Sequence, residues 1–337
     1  MSPMARRRLL LVGGLYAAGF LVSAAVGSLG YFHFGSPGRT CASCHEMTGA
    51  HAAWSGSVHS TLHCRECHGG SLTLDAHALG AHVNRLVRHF TRAPGEVIRL
   101  REEDVLRIQQ SCRRCHPDTY AKWASSGHAS TYARFFLDPA HNRAERMAPD
   151  CLRCHGMFFD GNIEDLVSTP STSGPWALRD PAKAAEPAIP CTACHQVHSA
   201  SPDGRLAHLY VRREGAHFPL AELPAVPLTS GGAQVRVSAD PRQRLCVQCH
   251  APNAFRLAGT GDDRTPVGVH EGLSCLDCHS GHSGSARASC AACHPADSHC
   301  GVDVERMDTS FHSKASAHNI HSVSCGDCHG GVRPARR

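Results

Sequence analysis

The chain has 337 residues, which is long enough for two ordinary domains built around apolar cores. Aromatic residues make up only 6%, the formal net charge is only +5, and apolar runs are short after residue 34. The composition therefore argues against two conventional apolar cores, and we expect no nucleic-acid partner.

The first predicted element is an apolar helix from Leu9 to Phe34, with 26 consecutive residues that include no Asp, Glu, Lys or Arg. At about 1.5 Å per residue, such a helix crosses a hydrocarbon core of about 30 Å with some tilt. Three arginines at 6–8 precede it, so the positive-inside rule keeps residues 1–8 in the cytoplasm and exports the chain beyond residue 34. A cleaved signal peptide is the competing interpretation, but its apolar core is normally only about 7–15 residues long.

The exported part is dominated by the motif Cys-x-x-Cys-His, which occurs nine times and is numbered here in chain order. The cysteine pairs are Cys41 and Cys44, Cys64 and Cys67, Cys112 and Cys115, Cys151 and Cys154, Cys191 and Cys194, Cys246 and Cys249, Cys275 and Cys278, Cys290 and Cys293, and Cys325 and Cys328. The histidines that close the motifs are His45, His68, His116, His155, His195, His250, His279, His294 and His329. Of the 19 cysteines, only Cys300 is left over.

This motif is the attachment signature of c-type haem, because two thiols add to the two vinyl groups of the porphyrin and the adjacent histidine reaches the iron. Zinc sites, disulfides and thioredoxin-like pairs also use Cys-x-x-Cys, but none of them requires histidine next. The sequence therefore predicts nine covalently bound haems. We expect them on the periplasmic side of a bacterial inner membrane, carried by a single-pass protein.

So many porphyrins would supply much of the core. The predicted fold is a multihaem cytochrome with one N-terminal transmembrane helix, followed by short α-helices and irregular loops wrapped around haems, with little β-structure. We expect a cytoplasmic N-terminus at 1–8, an anchor at 9–34, a four-haem domain at 35–160 and a five-haem domain at 161–337.

Four further segments are predicted between the motifs. Apolar residues at helical spacing predict a helix over 79–90, which either lies on an anionic membrane surface or packs on haem. A second helix is predicted at 96–110, leading into the third motif. Five prolines at 161–190 indicate an extended linker or a haem-wrapping loop. In 199–245, "HLYVRREG" and "AQVRVSAD" alternate apolar and polar residues and predict a small hairpin.

Histidines outside the motifs are candidates for the second axial position of each iron. Eighteen of the 27 histidines lie outside the motifs, twice the number that nine haems need. Several lie three residues after a motif or four to five before one, where a side chain reaches a neighbouring haem more easily than the far face of its own. The distal candidates are His59, His128, His198, His270, His282 and His321, with His89, His141, His208 and His318 as further ones.

The first 160 residues resemble the NapC/NirT/NrfH family of membrane-anchored multihaem quinol dehydrogenases. The resemblance rests on the anchor, "CASCHEM", Trp54, Ser57-x-His59, "CRECH", a helix, "TRAPGE" and "CRRCH" in that order. It implies a quinol site beside the first haem at the membrane surface, with electrons leaving through later haems to a periplasmic redox partner or reductase. The chain departs from the family in two places: the helix after the second motif has no lysine, and "CLRCHGMFFDG" has no histidine after the fourth motif. The five motifs after residue 160 lie outside the resemblance.

Met47 follows the first motif by two residues and starts on the same side of the haem as His45. The family resemblance implies that Met47 takes the place of His45 on the iron. The alternative is that Met47 only packs on the porphyrin edge.

Three functions are open at the level of the sequence. The first is electron transfer from membrane quinol through the haems to a periplasmic acceptor, as in anaerobic respiration. The second is a multihaem reductase of a small nitrogen or sulfur oxyanion, for which Cys300 or Lys314 would furnish an unusual ligand; no motif here ends in the lysine of nitrite reductases. The third is an electron wire or docking subunit without quinol contact.

Overall fold

The structure is a computed structural model that describes residues 3–34, 38, 42, 44–68, 87, 89–91, 100–198, 208–223, 229–230, 233–251, 266–283, 286, 289–290, 293 and 320–321. Several predicted site residues lie outside these ranges: Cys41, His294, Cys300, Lys314, His318, Cys325, Cys328 and His329. Most of the predicted helix over 79–90 also lies outside them.

In the described part, the chain is mostly helical with little sheet, as predicted. The α-helices are α1 Pro3–Phe34, α2 Thr48–Ser55, α3 Cys64–His68, α4 Glu102–Cys115, α5 Pro117–Ala124, α6 Tyr132–Phe136, α7 Pro139–Ala144, α8 Ile163–Leu166, α9 Gln243–His250 and α10 Cys275–Cys278. The strands are β1 His208–Val211, β2 Ala216–Pro219, β3 Thr229–Ser230 and β4 Ala233–Gln234. Short 3-10 turns connect many of them, including His45–Met47 and Cys191–Ala193 at motifs.

Helix α1 is apolar on all sides. The most apolar 18-residue window within Pro3–Ser28 has a mean hydropathy of 2.1, and none of this window is buried against the rest of the chain. A helix of 32 residues at about 1.5 Å per residue exceeds the thickness of a hydrocarbon core. The structure thus confirms one N-terminal helix that is long and apolar enough to cross a membrane, although a signal sequence meets the same criteria.

The chain divides into two compact units. The first unit comprises Met1–Ile98 together with Val197–Gly204, and the second unit comprises Arg99–Gln196 together with Arg205–Arg337.

The main apolar cluster of the second unit surrounds the fourth motif. Tyr132, Leu152, Ile163 and Val167 are at most 1% exposed, and Leu178 joins them. Burying each such aliphatic side chain contributes roughly 1.5–3 kcal/mol. Because Ile163, Val167 and Leu178 come from the proline-rich stretch 161–190, this stretch is a loop packed on the core and not an extended linker.

Helix α4 forms close to its predicted position. Three acidic residues, Glu102, Glu103 and Asp104, occupy its first turn, where they interact favourably with the helix dipole. The helix begins at Glu102, six residues later than predicted, and ends at Cys115 inside the third motif. It therefore fixes the position of that motif's two cysteines.

The strand pairing differs from the predicted hairpin. β1 pairs antiparallel with β2, with Tyr210 opposite His217, while β3 pairs with β4. The segment "HLYV" therefore pairs with "AHFP" across the turn "RREG" and not with "AQVRV". The nearer partner closes the shorter loop, which costs less chain entropy.

Candidate haem ligand pairs

Within the described part of the chain, five motif histidines lie close to a second histidine that is a distal candidate from the sequence. The rings of His45 and His89 lie 5.2 Å apart, and the ring centres of the other four pairs lie 5.7–6.0 Å apart. These four pairs are His68 with His198 at 5.9 Å, His250 with His128 at 5.9 Å, His195 with His282 at 5.7 Å, and His279 with His321 at 6.0 Å.

This separation is close to that required by one metal ion between two imidazoles. A metal–nitrogen bond of about 2.0 Å on each side, with about 1.1 Å from nitrogen to ring centre, places two opposed ring centres roughly 6.2 Å apart. Aromatic side chains in ordinary contact have centroid distances of about 4.5–7 Å, a range that includes these four separations. The four pairs are thus compatible with haem iron between the two imidazoles, and it is the Cys-x-x-Cys-His motifs that imply the cofactor.

His128 shows how the chain orients such a ligand. Ser126 Oγ accepts a hydrogen bond from the His128 backbone N–H at 3.2 Å, which holds the 3-10 turn Gly127–Ala129. The ring Nδ1 lies 3.2 Å from the Gly281 carbonyl oxygen, to which it can donate. A hydrogen bond from one ring nitrogen to a carbonyl sets the tautomer and leaves the other nitrogen for a metal. In this arrangement, Nε2 would be the atom available to a metal.

The same turn occurs at His59. Ser57 Oγ donates to the Trp54 carbonyl at 2.8 Å and accepts from the His59 N–H at 3.2 Å. Around His128 the corresponding donation, from Ser126 to the Trp123 carbonyl, is 2.7 Å. The Trp-x-x-Ser-x-His echo in the sequence is thus one repeated local structure, which presents a histidine in the same way twice.

Burial favours the neutral form of three of the paired histidines. It lowers the pKa of His195 to about 4, with smaller contributions from His282 and His116. Burial is also the main cause that lowers the pKa of His282 and of His198. Neutral imidazole is the form that binds a metal, so these sites are suited to ligation at neutral pH.

The first motif has a different environment. His45 begins the 3-10 turn His45–Met47, and 68% of its side chain is exposed, while Met47 is half-buried. Glu46 lies 2.6 Å from His89 Nδ1 and 3.5 Å from His45 Nε2. Ligand atoms of Cys44, Glu46 and His89 also lie within 4.8 Å of one another. His89 is thus bound to Glu46 beside the first motif, with its ring centre 5.2 Å from that of His45.

Thiols of different motifs meet in three places in the second unit. Cys112 lies beside Cys191, Cys246 beside Cys275, and Cys249 beside Cys154. The contact raises the pKa of Cys112 and lowers that of Cys191, and it likewise raises the pKa of Cys275 and lowers that of Cys246. Motifs that are far apart in the sequence are therefore direct neighbours.

The remaining described candidates have other contacts. His141 Nε2 lies 3.7 Å from Glu145, and His270 Nδ1 lies 2.9 Å from the Ile320 carbonyl oxygen. His208 begins β1, with its Nδ1 buried. The ring of His155 in the fourth motif lies beside Phe135, with ring centres 4.0 Å apart.

The sequence missed several supporting groups. The carbonyl of Gly281, which orients His128, carries no sequence signal. Arg153 donates to the Gln248 carbonyl at 2.6 Å and links the fourth motif to the sixth, which is a contact across 95 positions that no local pattern marks.

No protein-family model matches the chain, and neither the curated proteins nor the solved structures contain a significant match.

Proposed function

We propose that the protein is a membrane-anchored nonahaem c-type cytochrome that transfers electrons from membrane quinol to a periplasmic acceptor. The observation that carries this proposal is the set of four opposed histidine pairs, each joining a motif histidine to a histidine from elsewhere in the chain. Nine motifs with no exception to Cys-x-x-Cys-His support the same cofactor at every site.

In this proposal, the eighteen motif cysteines hold the haems covalently and the motif histidines bind the irons. Haem iron, when bound, supplies one-electron redox chemistry. His198, His128, His282 and His321 would be the second histidines that hold haem at the second, sixth, fifth and seventh motifs. A haem held by two histidines would offer a substrate no free ligand position at those sites. This favours electron transfer over reduction of an oxyanion at these four sites.

The quinol role rests on the N-terminal part of the chain. Helix α1 is long and apolar enough to hold the first motif at a membrane surface, where quinol is available. Met47 follows His45, the last residue of that motif, by two residues. A thioether ligand in place of His45 would raise the reduction potential of the haem relative to a haem with two imidazole ligands. A higher potential suits the site that receives the first electron.

The experiment is to mix the purified holoprotein with a menaquinol analogue and follow haem absorbance. We expect haem reduction by the quinol, and slow or no reoxidation when nitrite, hydroxylamine or tetrathionate is added to the reduced protein. No reduction by quinol would remove the quinol role. Rapid reoxidation by nitrite, tetrathionate or hydroxylamine would show a reductase.

A further inference from the structure

In the second unit, motifs that are distant in the sequence lie next to one another. We infer that the fifth, sixth and seventh motifs form a triangle of mutual neighbours, to which the third motif is also joined. The haem sites they would hold are therefore a compact cluster and not successive links of a linear wire. This inference rests on the proposed haem binding.

The side between the fifth and seventh motifs is formed by His195 and His282. His195 closes the fifth motif, and His282 lies three residues after His279, which closes the seventh. Their rings are 9° from parallel with centres 5.7 Å apart. The turn that follows the seventh motif thus carries the second histidine of the fifth site.

The side between the sixth and seventh motifs is formed by cysteines on two helices. Cys246 on α9 lies beside Cys275, the first residue of α10. A second contact supports the junction, because Ser274 Oγ donates to Asp240 Oδ2 at 2.9 Å just before both helices begin. Both motifs are therefore held through the helices that carry them.

The side between the fifth and sixth motifs is an apolar contact. Cys194 packs against the cluster of Leu209, Leu223 and Leu245, and Leu245 lies on α9 next to Cys246. Through this cluster, the fifth motif lies beside the helix that carries the sixth. Each of the three motifs is thus next to both others.

The third motif joins two members of this triangle. Cys112 meets Cys191 of the fifth motif, and His128, which follows the third motif, faces His250 of the sixth. The Cys191 backbone N–H also donates a hydrogen bond to the Gln109 side-chain Oε1 at 3.2 Å, which supports the contact between the third and fifth motifs. Loss of any single site would leave the remaining members in contact.

Three substitutions label the three corners of the triangle. His282→Met, His128→Met and His321→Met each replace the second imidazole at the fifth, sixth or seventh site by a thioether. The replacement raises the potential of that site. In a potentiometric titration followed by low-temperature electron paramagnetic resonance, the labelled site becomes reduced and diamagnetic while the others are still ferric. Low-spin signals of its direct neighbours then change line shape, because they lose a paramagnetic neighbour.

We expect all three pairs among the labelled sites to show this effect. A linear arrangement allows at most two of the three, so one missing pair would overturn the triangle and leave the haem assignment intact. If a substitution left every low-spin signal unchanged, the histidine pairing itself would be wrong and the triangle would fall with it. His217→Met is the matched control. Its ring nitrogens lie 2.7 Å from the Thr192 carbonyl and 3.2 Å from Gln196, so it should change no signal.

Discussion

The imidazole rings of His195 and His282 lie 5.7 Å apart and within 9° of parallel, although 87 positions separate them in the chain. The first closes the fifth motif, and the second follows the seventh motif by three residues. The histidine that follows the seventh motif is thus placed beside the histidine that closes a different motif. The same spacing occurs at His198, which follows the fifth motif by three residues and faces His68 of the second.

His282→Ala should remove the second axial ligand at the fifth site. We predict that one low-spin haem signal is lost and that one high-spin or water-ligated signal replaces it, with covalent haem content unchanged, because Cys191 and Cys194 remain. Electron paramagnetic resonance and intact mass measure the two effects. His217→Ala, beside the same motif, should leave the signals intact; equal spectra for both variants would show that His282 is not a ligand.

Substitutions of Met47 and of His45 should have opposite effects on the haem at the first site. If Met47 binds the iron, Met47→Leu should change the spectrum of one haem and slow quinol oxidation, whereas His45→Ala should leave that iron's ligation largely intact. Loss of the native signal in His45→Ala, together with no effect of Met47→Leu, would show that the methionine only packs.

Gly156, directly after the fourth motif, tests the packing of the second unit. Its φ of +119° is one that other residues rarely adopt, and a Cβ there would lie 2.9 Å from Tyr132 Cε1. Tyr132 is 1% exposed and donates to Glu102, which also binds Lys183, so it cannot move freely. Gly156→Ala should destabilise the protein by about 1–3 kcal/mol.

The control for this prediction is Gly127→Ala, because a Cβ at Gly127 meets nothing within 4 Å. Thermal unfolding followed by haem absorbance compares the two variants. Similar midpoints for both would mean that the loop after the fourth motif can shift away from Tyr132 at little cost.

The role of helix α1 is tested by cell fractionation. We predict that the full-length protein stays in the membrane fraction, because a span of mean hydropathy 2.1 is stable in hydrocarbon. A variant that begins after residue 34, exported by an unrelated cleavable signal, should be soluble and retain its haems. Recovery of native protein that lacks residues 1–27 from the soluble fraction would instead show that the segment is a cleaved signal.

The sequence predicted the local features well and the long-range ones poorly. Helix α1, helix α4 leading into Cys112, and the low β content follow from hydrophobic pattern and composition, which act over a few residues. The spacing after the motifs also singled out His198 and His282. Which motif each of these histidines faces is set by packing between segments tens of residues apart, so no local pattern could assign it. The partner of β1 was missed for the same reason, since "AQVRV" and "AHFP" are both suitable strands and only chain folding selects between them.

The number of covalently bound haems is tested most directly by the intact mass of the purified protein together with a pyridine haemochrome assay. We predict a mass equal to that of the polypeptide plus nine haems, because each of the nine motifs has both cysteines and its histidine. The haemochrome spectrum should be that of haem bound through two thioether links. A count below eight would contradict the proposal, because some Cys-x-x-Cys-His motifs would then not be haem sites.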